Sequence, residues 1–341
     1  MASREKAPET GDKVAAGPGF EPGLSDSESL VLPLHHPARK ATRRILTSIS
    51  PSVEFTDNLL PASKNLYGSV GRSGTITAAC EERRMILGDL LREYDPLADL
   101  YDLEYDHDYD LPFWLALTER EGGPVIELGA GTGRLAAPLA DFGLDVTAVE
   151  VSQNMVEQGR QKGGTVEWVR GDMRHVKLGR RYGLAICAFN SFLCLLSVDD
   201  ALAFLRNARE HLKPDGLLGI EVSAFTPEEL CEEVDGPALR HDFTRYRGQG
   251  APGRTLERFS VSRYDAASQL LRMRLFYELY GLGGELENKR VHELTIRIVG
   301  RGELELMLRL AGFEVEAVYG GFEGESFIAN SDHLIVLARR L

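Results

Sequence analysis

Residues 125–133 read Val125-Ile126-Glu127-Leu128-Gly129-Ala130-Gly131-Thr132-Gly133. This pattern is typical of a short apolar strand that enters a glycine-rich loop and continues into a helix. Glycine permits positive φ angles and a close approach of the main chain to a ligand, and the N-terminus of the following helix offers unpaired N–H groups. A second acid, Glu150, ends the next predicted strand, where it is suited to bind ribose hydroxyls. The segment therefore predicts a site for a nucleoside cofactor.

Strands and helices alternate on both sides of this loop. A helix over 112–120 comes first. The predicted strands then span 125–128, 145–150, 165–170, 184–189 and 217–223, and the helices between them span 134–142, 152–161 and 198–212. The segment Pro214-Asp215-Gly216 predicts a turn before the fifth strand. Apolar strands that alternate with helices predict a parallel, doubly wound sheet.

The pattern changes after Ser223. Residues 255–263, 270–280 and 290–299 alternate between polar and apolar side chains, as half-buried strands joined by turns do. We expect these three strands to form an antiparallel layer inserted at residues 224–300. A helix over 303–311 and strands over 313–319 and 333–338 follow, and they complete a sheet of seven strands.

The first 84 residues differ in composition from the rest. Residues 1–80 hold seven of the fifteen prolines and no lasting periodicity, which predicts a disordered leader over 1–84. Gly19-Phe20-Glu21-Pro22 also matches the translation of GGATTCGAACC, the antisense reading of a transfer RNA T-arm. Our hypothesis is that the assigned start is wrong and that the protein begins near Met85. The sequence also predicts a short helix over 84–94, and we expect one domain over 85–341. The intact mass of the protein from its native source tests this.

Composition excludes several classes of protein. The chain has 341 residues and a net charge of −13, and an acidic surface disfavours nucleic acid and anionic membranes as partners. No apolar run reaches the roughly 18–20 residues that span a bilayer, and no apolar signal segment opens the chain. The four cysteines have neither CxxC nor zinc spacing. We therefore expect reduced thiols, no metal site and a cytoplasmic location.

The loop also distinguishes between nucleoside cofactors. A dinucleotide-binding loop reads G-x-G-x-x-G, and its third glycine lets the helix pack closely on the strand. Counted from Gly129, that third position is Arg134, a large cation. Glu127 would repel a pyrophosphate, whereas it suits the amino group of an amino-acid moiety. These residues disfavour an NAD(P)-dependent oxidoreductase.

The segment Val125–Gly133 resembles motif I of the class I S-adenosylmethionine-dependent methyltransferases. The resemblance covers about residues 95–341, and it includes Glu150, Gly171-Asp172-Met173, Leu212-Lys213-Pro214-Asp215-Gly216 and Ala311-Gly312-Phe313. The family usually has glycine where Asp215 stands, and aspartate also tolerates turn geometry. The antiparallel layer and the Tyr-Asp-rich stretch 101–110 make the chain most similar to small-molecule enzymes such as the sugar N,N-dimethyltransferases and glycine N-methyltransferase.

The resemblance implies S-adenosyl-L-methionine as the cofactor and a role for each matching residue. The residues carried over are Glu127, Gly129, Ala130, Gly131 and Gly133 for the methionine end, Glu150 for the ribose, Val151, Met155, Asp172 and Met173 for the adenine, Asn190 for the meeting point of methyl group and acceptor, and Tyr101 and Tyr105 as a cover.

Methyl transfer is an in-line displacement at a carbon bonded to a sulfonium, so the protein contributes alignment and exclusion of water. An amine acceptor needs only to be neutral and aimed, whereas a hydroxyl usually requires a general base. The candidates for catalysis are Asn190, His107, Tyr109 and His292, followed by His241 and Tyr277. His107 lies among acids, which we expect to raise its pKa. Variable loops at about 225–253 are expected to shape the acceptor pocket.

We therefore expect an α/β protein with a doubly wound, seven-stranded Rossmann-like methyltransferase sheet and an inserted antiparallel layer. Its expected activity is methyl transfer to an N or O atom of a small-molecule acceptor, by a monomer or homodimer. A noncatalytic S-adenosylmethionine-binding regulator and a protein-directed methyltransferase stay open as alternatives. Nucleic-acid amino methyltransferases are disfavoured because Asn190-Ser191-Phe192-Leu193 lacks their pair of prolines after the fourth strand.

Overall fold

The computed structural model describes residues 95–234, 238–247 and 254–341. The strands are β1 (Val125–Leu128), β2 (Val146–Glu150), β3 (Glu167–Arg170), β4 (Tyr182–Cys187), β5 (Leu212–Ser223), β6 (Arg240–Arg247), β7 (Arg254–Asp265), β8 (Leu270–Tyr280), β9 (Leu286–Arg297), β10 (Phe313–Tyr319) and β11 (His333–Arg340). The α-helices are α1 (Ala98–Glu104), α2 (Leu111–Glu121), α3 (Ala136–Asp141), α4 (Gln153–Gln161), α5 (Val198–His211), α6 (Pro227–Val234) and α7 (Arg301–Leu310). The predicted leader over 1–84 and the predicted helix over 84–94 lie outside these residues.

Two sheets organise the described part of the chain. The larger has seven strands in the order β10-β11-β5-β4-β1-β2-β3, and the smaller has four in the order β6-β7-β8-β9. Strands β1 to β5 pair in parallel, whereas β10 and β11 are antiparallel to their neighbours. The predicted doubly wound, seven-stranded sheet is therefore confirmed. Within the described residues, no helix is long and apolar enough to cross a membrane.

Helices cover the larger sheet on both faces. All four residues of β1 are buried, as a central parallel strand with helices above and below requires. Trp114 of α2 is fully buried and lies against Gly219 of β5, where an added Cβ would stand 2.7 Å from the indole ring. Glycine therefore lets this helix approach the strand closely. Helix α4 begins at an N-cap, since the Ser152 hydroxyl accepts a hydrogen bond from the Met155 N–H.

The prediction of three strands in the inserted layer is wrong, because the smaller sheet has four. Residues 225–253, expected to be loops, contain helix α6 and strand β6, which pairs antiparallel with β7. The sequence of β6 is Arg-His-Asp-Phe-Thr-Arg-Tyr-Arg, which lacks the alternation of apolar side chains seen in β8. An edge strand tolerates polar side chains because one of its sides faces no neighbouring strand.

The predicted turn at residues 214–216 lies inside β5 as a bulge. Tyr182 pairs with Leu212, and Leu184 pairs with Leu217, so four residues of β5 stand opposite one residue of β4. Asp215 takes the positive φ of 58° that this excursion needs. These three residues therefore interrupt β5 as a bulge and do not form a separate turn before the strand.

Buried charges join the smaller sheet to helix α1. Arg258 of β7 pairs through its guanidinium with Glu104 of α1, and its Nε donates to Asp242 of β6 at 2.8 Å. The Tyr277 hydroxyl of β8 donates to the second oxygen of Glu104 at 2.8 Å. Arg258 and Glu104 are each 3% exposed. One cation thus neutralises two buried carboxylates that come from different elements.

Replacing Arg258 by methionine is expected to destabilise the protein by about 3–5 kcal/mol, because two buried carboxylates then lose their cation. Arg263→Met, on the same strand at an exposed position, is the matched control and should change the free energy of unfolding by less than about 0.5 kcal/mol. Urea unfolding followed by circular dichroism measures both. Equal losses in the two variants would contradict a stabilising role of the buried cluster.

Candidate functional site

The carboxyl ends of β1, β2, β4 and β5 meet at one edge of the larger sheet, because these strands run in the same direction. A cavity opens at this edge and encloses about 860 Å³ of empty space, part of it open to solvent. Ten residues assigned to the cofactor from the sequence line it: Tyr101, Tyr105, Gly129, Gly131, Glu150, Val151, Met155, Asp172, Met173 and Asn190.

Three other predicted cofactor residues do not line this cavity. Ala130 and Gly133 close the turn of the loop, where the Gly133 N–H donates to the Ala130 carbonyl at 2.8 Å. Glu127 is 5% exposed, and its Oε2 has no hydrogen-bond partner among the described residues. Burial raises the pKa of Glu127 to about 8, although the charge of Arg134 opposes this. A carboxyl with an unused oxygen therefore lies beside the glycine loop.

Glu150 fixes the glycine loop to the end of β2. Its Oε2 accepts the Gly131 N–H at 2.9 Å, and its Oε1 accepts the Ser152 N–H at 2.8 Å. Gly131 has a φ of +56°, and an added Cβ would lie 3.5 Å from the Tyr101 ring. Burial raises the pKa of Glu150 overall, although the main-chain donors oppose this. The loop, the carboxylate and the tyrosine therefore form one wall of the cavity.

Asp172 occupies the wall beyond β3. Its carboxylate is paired with Arg174, whose Nη2 lies 2.7 Å from Oδ2, and the same guanidinium pairs with Asp200 of α5. Burial raises the pKa of Asp172, but the hydrogen bonds from Arg174 outweigh it, and the pKa is lowered overall. Asp172 is thus ionised and fixed, and a quarter of its side chain stays exposed at the cavity. The sequence analysis did not identify Arg174, because its partners are distant in sequence or within its own turn.

A left-handed turn after β4 forms the far wall. Phe189 and Asn190 have φ angles of 53° and 65°, which side chains other than glycine seldom adopt. The Phe189 N–H donates to Glu221 Oε2 at 2.5 Å, and the Ser223 N–H donates to Asn190 Oδ1 at 2.6 Å. The Asn190 side-chain nitrogen is buried and has no hydrogen-bond partner among the described residues. The strained turn is therefore held from β5, with one amide donor unused.

The cavity also includes residues that sequence reasoning did not assign to it: Val149, Gly171, Phe189, Ser191, Cys194 and Ile296. Ile296 comes from β9, so the smaller sheet contributes to the cavity. The alternation of Leu294 and Ile296 along β9 indicates that both side chains are buried, but it does not indicate that Ile296 faces this cavity. Phe189 could have been identified from its position between β4 and Asn190.

The four catalytic candidates have different positions. Asn190 lines the cavity, whereas His107, Tyr109 and His292 do not. His292 is partly buried on β9, opposite Leu275 of β8. The expectation that neighbouring acids raise the pKa of His107 is wrong, because burial dominates and lowers it to about 4.

Aromatic side chains lie beside the left-handed turn, on the side of the sheet that faces α2. The His107 ring stacks on Tyr109 with centroids 4.4 Å apart and lies 5.2 Å from the Phe189 ring. The Phe322 ring lies 5.5 Å from Tyr109 and 4.8 Å from His333. Arg134, paired with Asp110 through two hydrogen bonds, lies 4.7 Å above the Phe189 ring. These groups offer apolar surface together with a few polar atoms.

The remaining two candidate bases are placed elsewhere. His241 is exposed and pairs with Glu257 at 2.5 Å. The Tyr277 hydroxyl donates to Glu104 of α1. In the part of the chain that the structure describes, no group of three or more His, Cys, Asp or Glu side chains could hold a metal ion.

Comparison with known proteins gives concordant results. A protein-family model described as a methyltransferase domain matches residues 125–216. The dTDP-3-amino-3,4,6-trideoxy-alpha-D-glucopyranose N,N-dimethyltransferase of Streptomyces venezuelae is 28% identical over 238 residues, 67% of this chain and 94% of the relative. The cypemycin N-terminal methyltransferase of a Streptomyces species is 27% identical over 64% of this chain and 84% of the relative.

The fold has a similar counterpart among solved structures. The CcbJ methyltransferase from Streptomyces caelestis superimposes with a TM-score of 0.61 and 28% identity, covering 73% of this chain and 98% of that one. The matched segment 125–216 contains the glycine loop, Glu150, Asp172 and Asn190, which border one cavity. The chain therefore carries a methyltransferase domain at residues 125–216, and it resembles the small-molecule enzymes among the class I S-adenosylmethionine-dependent methyltransferases.

Proposed function

We propose that this enzyme transfers a methyl group from S-adenosylmethionine to a nitrogen atom of a small-molecule acceptor. The observation that carries the proposal is the cavity itself. It runs from Glu150 and the glycine loop to Asn190, and aromatic side chains lie next to Asn190. Of the two sequence relatives described above, one is by name an N,N-dimethyltransferase and the other an N-terminal methyltransferase, which favours nitrogen over oxygen as the acceptor.

The residues present fit the cofactor. Glu127 Oε2 is a buried oxygen that lacks a donor, and the ammonium group of the methionine moiety can supply one. Glu150 keeps lone pairs for ribose hydroxyls after it has accepted two main-chain N–H groups. Val151, Met155 and Met173 supply apolar surface for adenine, and Asp172 can accept from its amino group. Tyr101 and Tyr105 of α1 would cover the ligand.

The protein's part in the reaction is positioning. When bound, S-adenosylmethionine would supply a methyl group from a cationic sulfur. The C–S bond would break as the N–C bond forms, and the electron pair of the C–S bond would stay on sulfur. The left-handed turn holds Asn190 at the cavity, where its unused amide donor can orient an acceptor. Phe189 and the rings beside it exclude water from the approach of the nitrogen.

Further features of the enzyme are proposed from the sequence. Residues 85–341 would form the methyltransferase domain, and residues 224–300, with the smaller sheet, would shape the acceptor side. The net charge of −13 favours acceptors other than nucleic acid. We also propose that the enzyme acts in the cytoplasm, as a monomer or homodimer.

The experiment that tests the proposed function is calorimetric titration of S-adenosylmethionine into the full chain, followed by methyl transfer from the labelled cofactor. Glu150→Ala should weaken binding about 10–100-fold, since hydrogen bonds to a charged group contribute about 1.5–3 kcal/mol. Glu157→Ala, exposed on α4, is the matched control and should bind as the wild type does. A panel of amino sugars, amino acids and their hydroxyl counterparts then identifies the acceptor atom. Absence of binding, or transfer to the hydroxyl compounds alone, would refute the proposal.

A second prediction concerns the proton on Glu127. At pH 6.5 this carboxyl, whose pKa is about 8, is protonated before binding, and the amino group of the cofactor is cationic. Ionisation of Glu127 against that cation should release about one proton per cofactor bound. Titrations in two buffers of different ionisation enthalpy measure the release.

Glu127→Gln should abolish the proton release, whereas Glu157→Gln should retain it. The affinity of the wild type should rise between pH 6 and pH 7, because less free energy is then needed to remove the proton from Glu127. Equal release by the wild type and Glu127→Gln would show that another group loses the proton.

A further inference from the structure

A buried carboxylate at the end of β5 joins the cofactor cavity to the last strand. Glu221 is 1% exposed. Its Oε2 accepts the N–H of Phe189, which lines the cavity, and its Oε1 lies 2.9 Å from Nδ1 of His333. Neither the glycine motif nor the aromatic-acidic stretch contains these two residues. The pair therefore requires an explanation of its own.

The topology places His333 at the ligand-binding edge of the sheet. His333 is the first residue of β11, which runs antiparallel to β5, so β11 starts where the parallel strands end. Glu221 pairs with Ile335, two residues beyond His333, and the two functional side chains therefore project from the same face. This is the face on which Tyr109 and Phe322 lie against the imidazole, with centroids 6.2 and 4.8 Å away.

The hydrogen bond to Glu221 determines the tautomer of His333. An ionised carboxylate only accepts, so Nδ1 carries the hydrogen and Nε2 keeps its lone pair when the ring is neutral. Among the described residues, Nε2 has no hydrogen-bond partner. The side chain is 14% exposed, so a small molecule beside Tyr109 can reach it. This arrangement resembles other imidazole bases that a carboxylate orients.

The groups around His333 adjust its basicity. Burial lowers the pKa of His333, but the hydrogen bond and charge of Glu221, together with the charges of Asp332 and Asp110, raise it overall. His107, on the other side of Tyr109, has a pKa lowered to about 4 by burial and by Arg134. Of these two imidazoles, His333 is the stronger proton acceptor.

We propose that His333 is a catalytic base that takes the proton of an ammonium acceptor, and that Glu221 is the positioning residue that holds it. The inference rests on the proposed function, because it concerns the acceptor of the same methyl transfer. The proton passes from the ammonium nitrogen to Nε2, and the imidazolium later releases it to solvent. The nitrogen keeps the lone pair with which it forms the new bond to carbon. The acceptor is thus an amine that is protonated in solution at neutral pH.

The test uses the full chain with isotopically labelled histidine, and it needs no identified acceptor. Nuclear magnetic resonance titration gives the tautomer and the pKa of His333, whose signal is assigned with His333→Gln. The probes are S-adenosylhomocysteine and sinefungin, an analogue that carries an amino group in place of the methyl on sulfur. Sinefungin should lower the pKa of His333 by about one unit relative to S-adenosylhomocysteine, since its ammonium group repels the imidazolium.

His241 provides an internal control, because it also pairs with a glutamate, Glu257, but lies exposed on β6. Its imidazole signals should be the same with either probe. An Nε2–H tautomer of His333, or a pKa that both probes leave equal, would overturn the inference while the binding of the probes sustains the proposed function. Failure of both probes to bind would overturn the proposed function and the inference together.

Kinetics with an amine from the panel give a second readout. His333→Gln should bind S-adenosylmethionine within about twofold of the wild type and lose at least tenfold in kcat at pH 7. Its rate should recover as the pH approaches the pKa of the amine, because the acceptor then loses its proton to solvent. Glu221→Gln should lower the pKa of His333, and if that variant does not fold, His333→Gln alone decides. A His333→Gln loss that is constant with pH would indicate a structural role and overturn the inference.

Discussion

The left-handed turn after β4 is the constraint on which the site depends. Two consecutive residues other than glycine, Phe189 and Asn190, have positive φ angles, and such strain costs of order 1–3 kcal/mol per residue. Hydrogen bonds to Glu221 and Ser223 of β5 stabilise the turn. On the other side, the Ser191 hydroxyl donates to the Gly129 carbonyl at 2.8 Å. The ends of β1, β4 and β5 are thereby linked through this turn by hydrogen bonds.

The smaller sheet determines how the cavity is closed. Its inner face holds Arg258, which pairs with Glu104 at the end of α1, and its strand β9 places Ile296 at the cavity. Arg290 of the same strand pairs with Asp99 of α1 at 2.6 Å. Helix α1, which carries Tyr101, is therefore fixed between this sheet and the glycine loop. Tyr101, which lines the cavity, is thus positioned by ion pairs whose residues do not line it.

Much of the fold was predictable because its signals are local. The loop Gly129–Gly133, the acid at Glu150 and the alternation of β8 each appear within a few residues of sequence. The site was less predictable, because its decisive contacts join distant segments. Glu221 and His333 are 112 residues apart, and neither belongs to a local motif. Strand β6 was missed because its stability comes from pairing with β7 rather than from its own pattern.

The carboxylates of the site differ in how their charge is compensated. Glu150 has main-chain donors, Asp172 has Arg174, and Glu221 has the Phe189 N–H together with His333. The partners of these three carboxylates belong to the fold itself. Glu127 differs, since one of its oxygens has no partner in the described residues and it holds a proton instead. A protonated carboxyl in this state costs less than an unpaired buried charge, and a cation beside it favours its ionisation. The fold thus supplies three carboxylates with partners of their own and one carboxyl, Glu127, whose protonation can respond to a nearby charge.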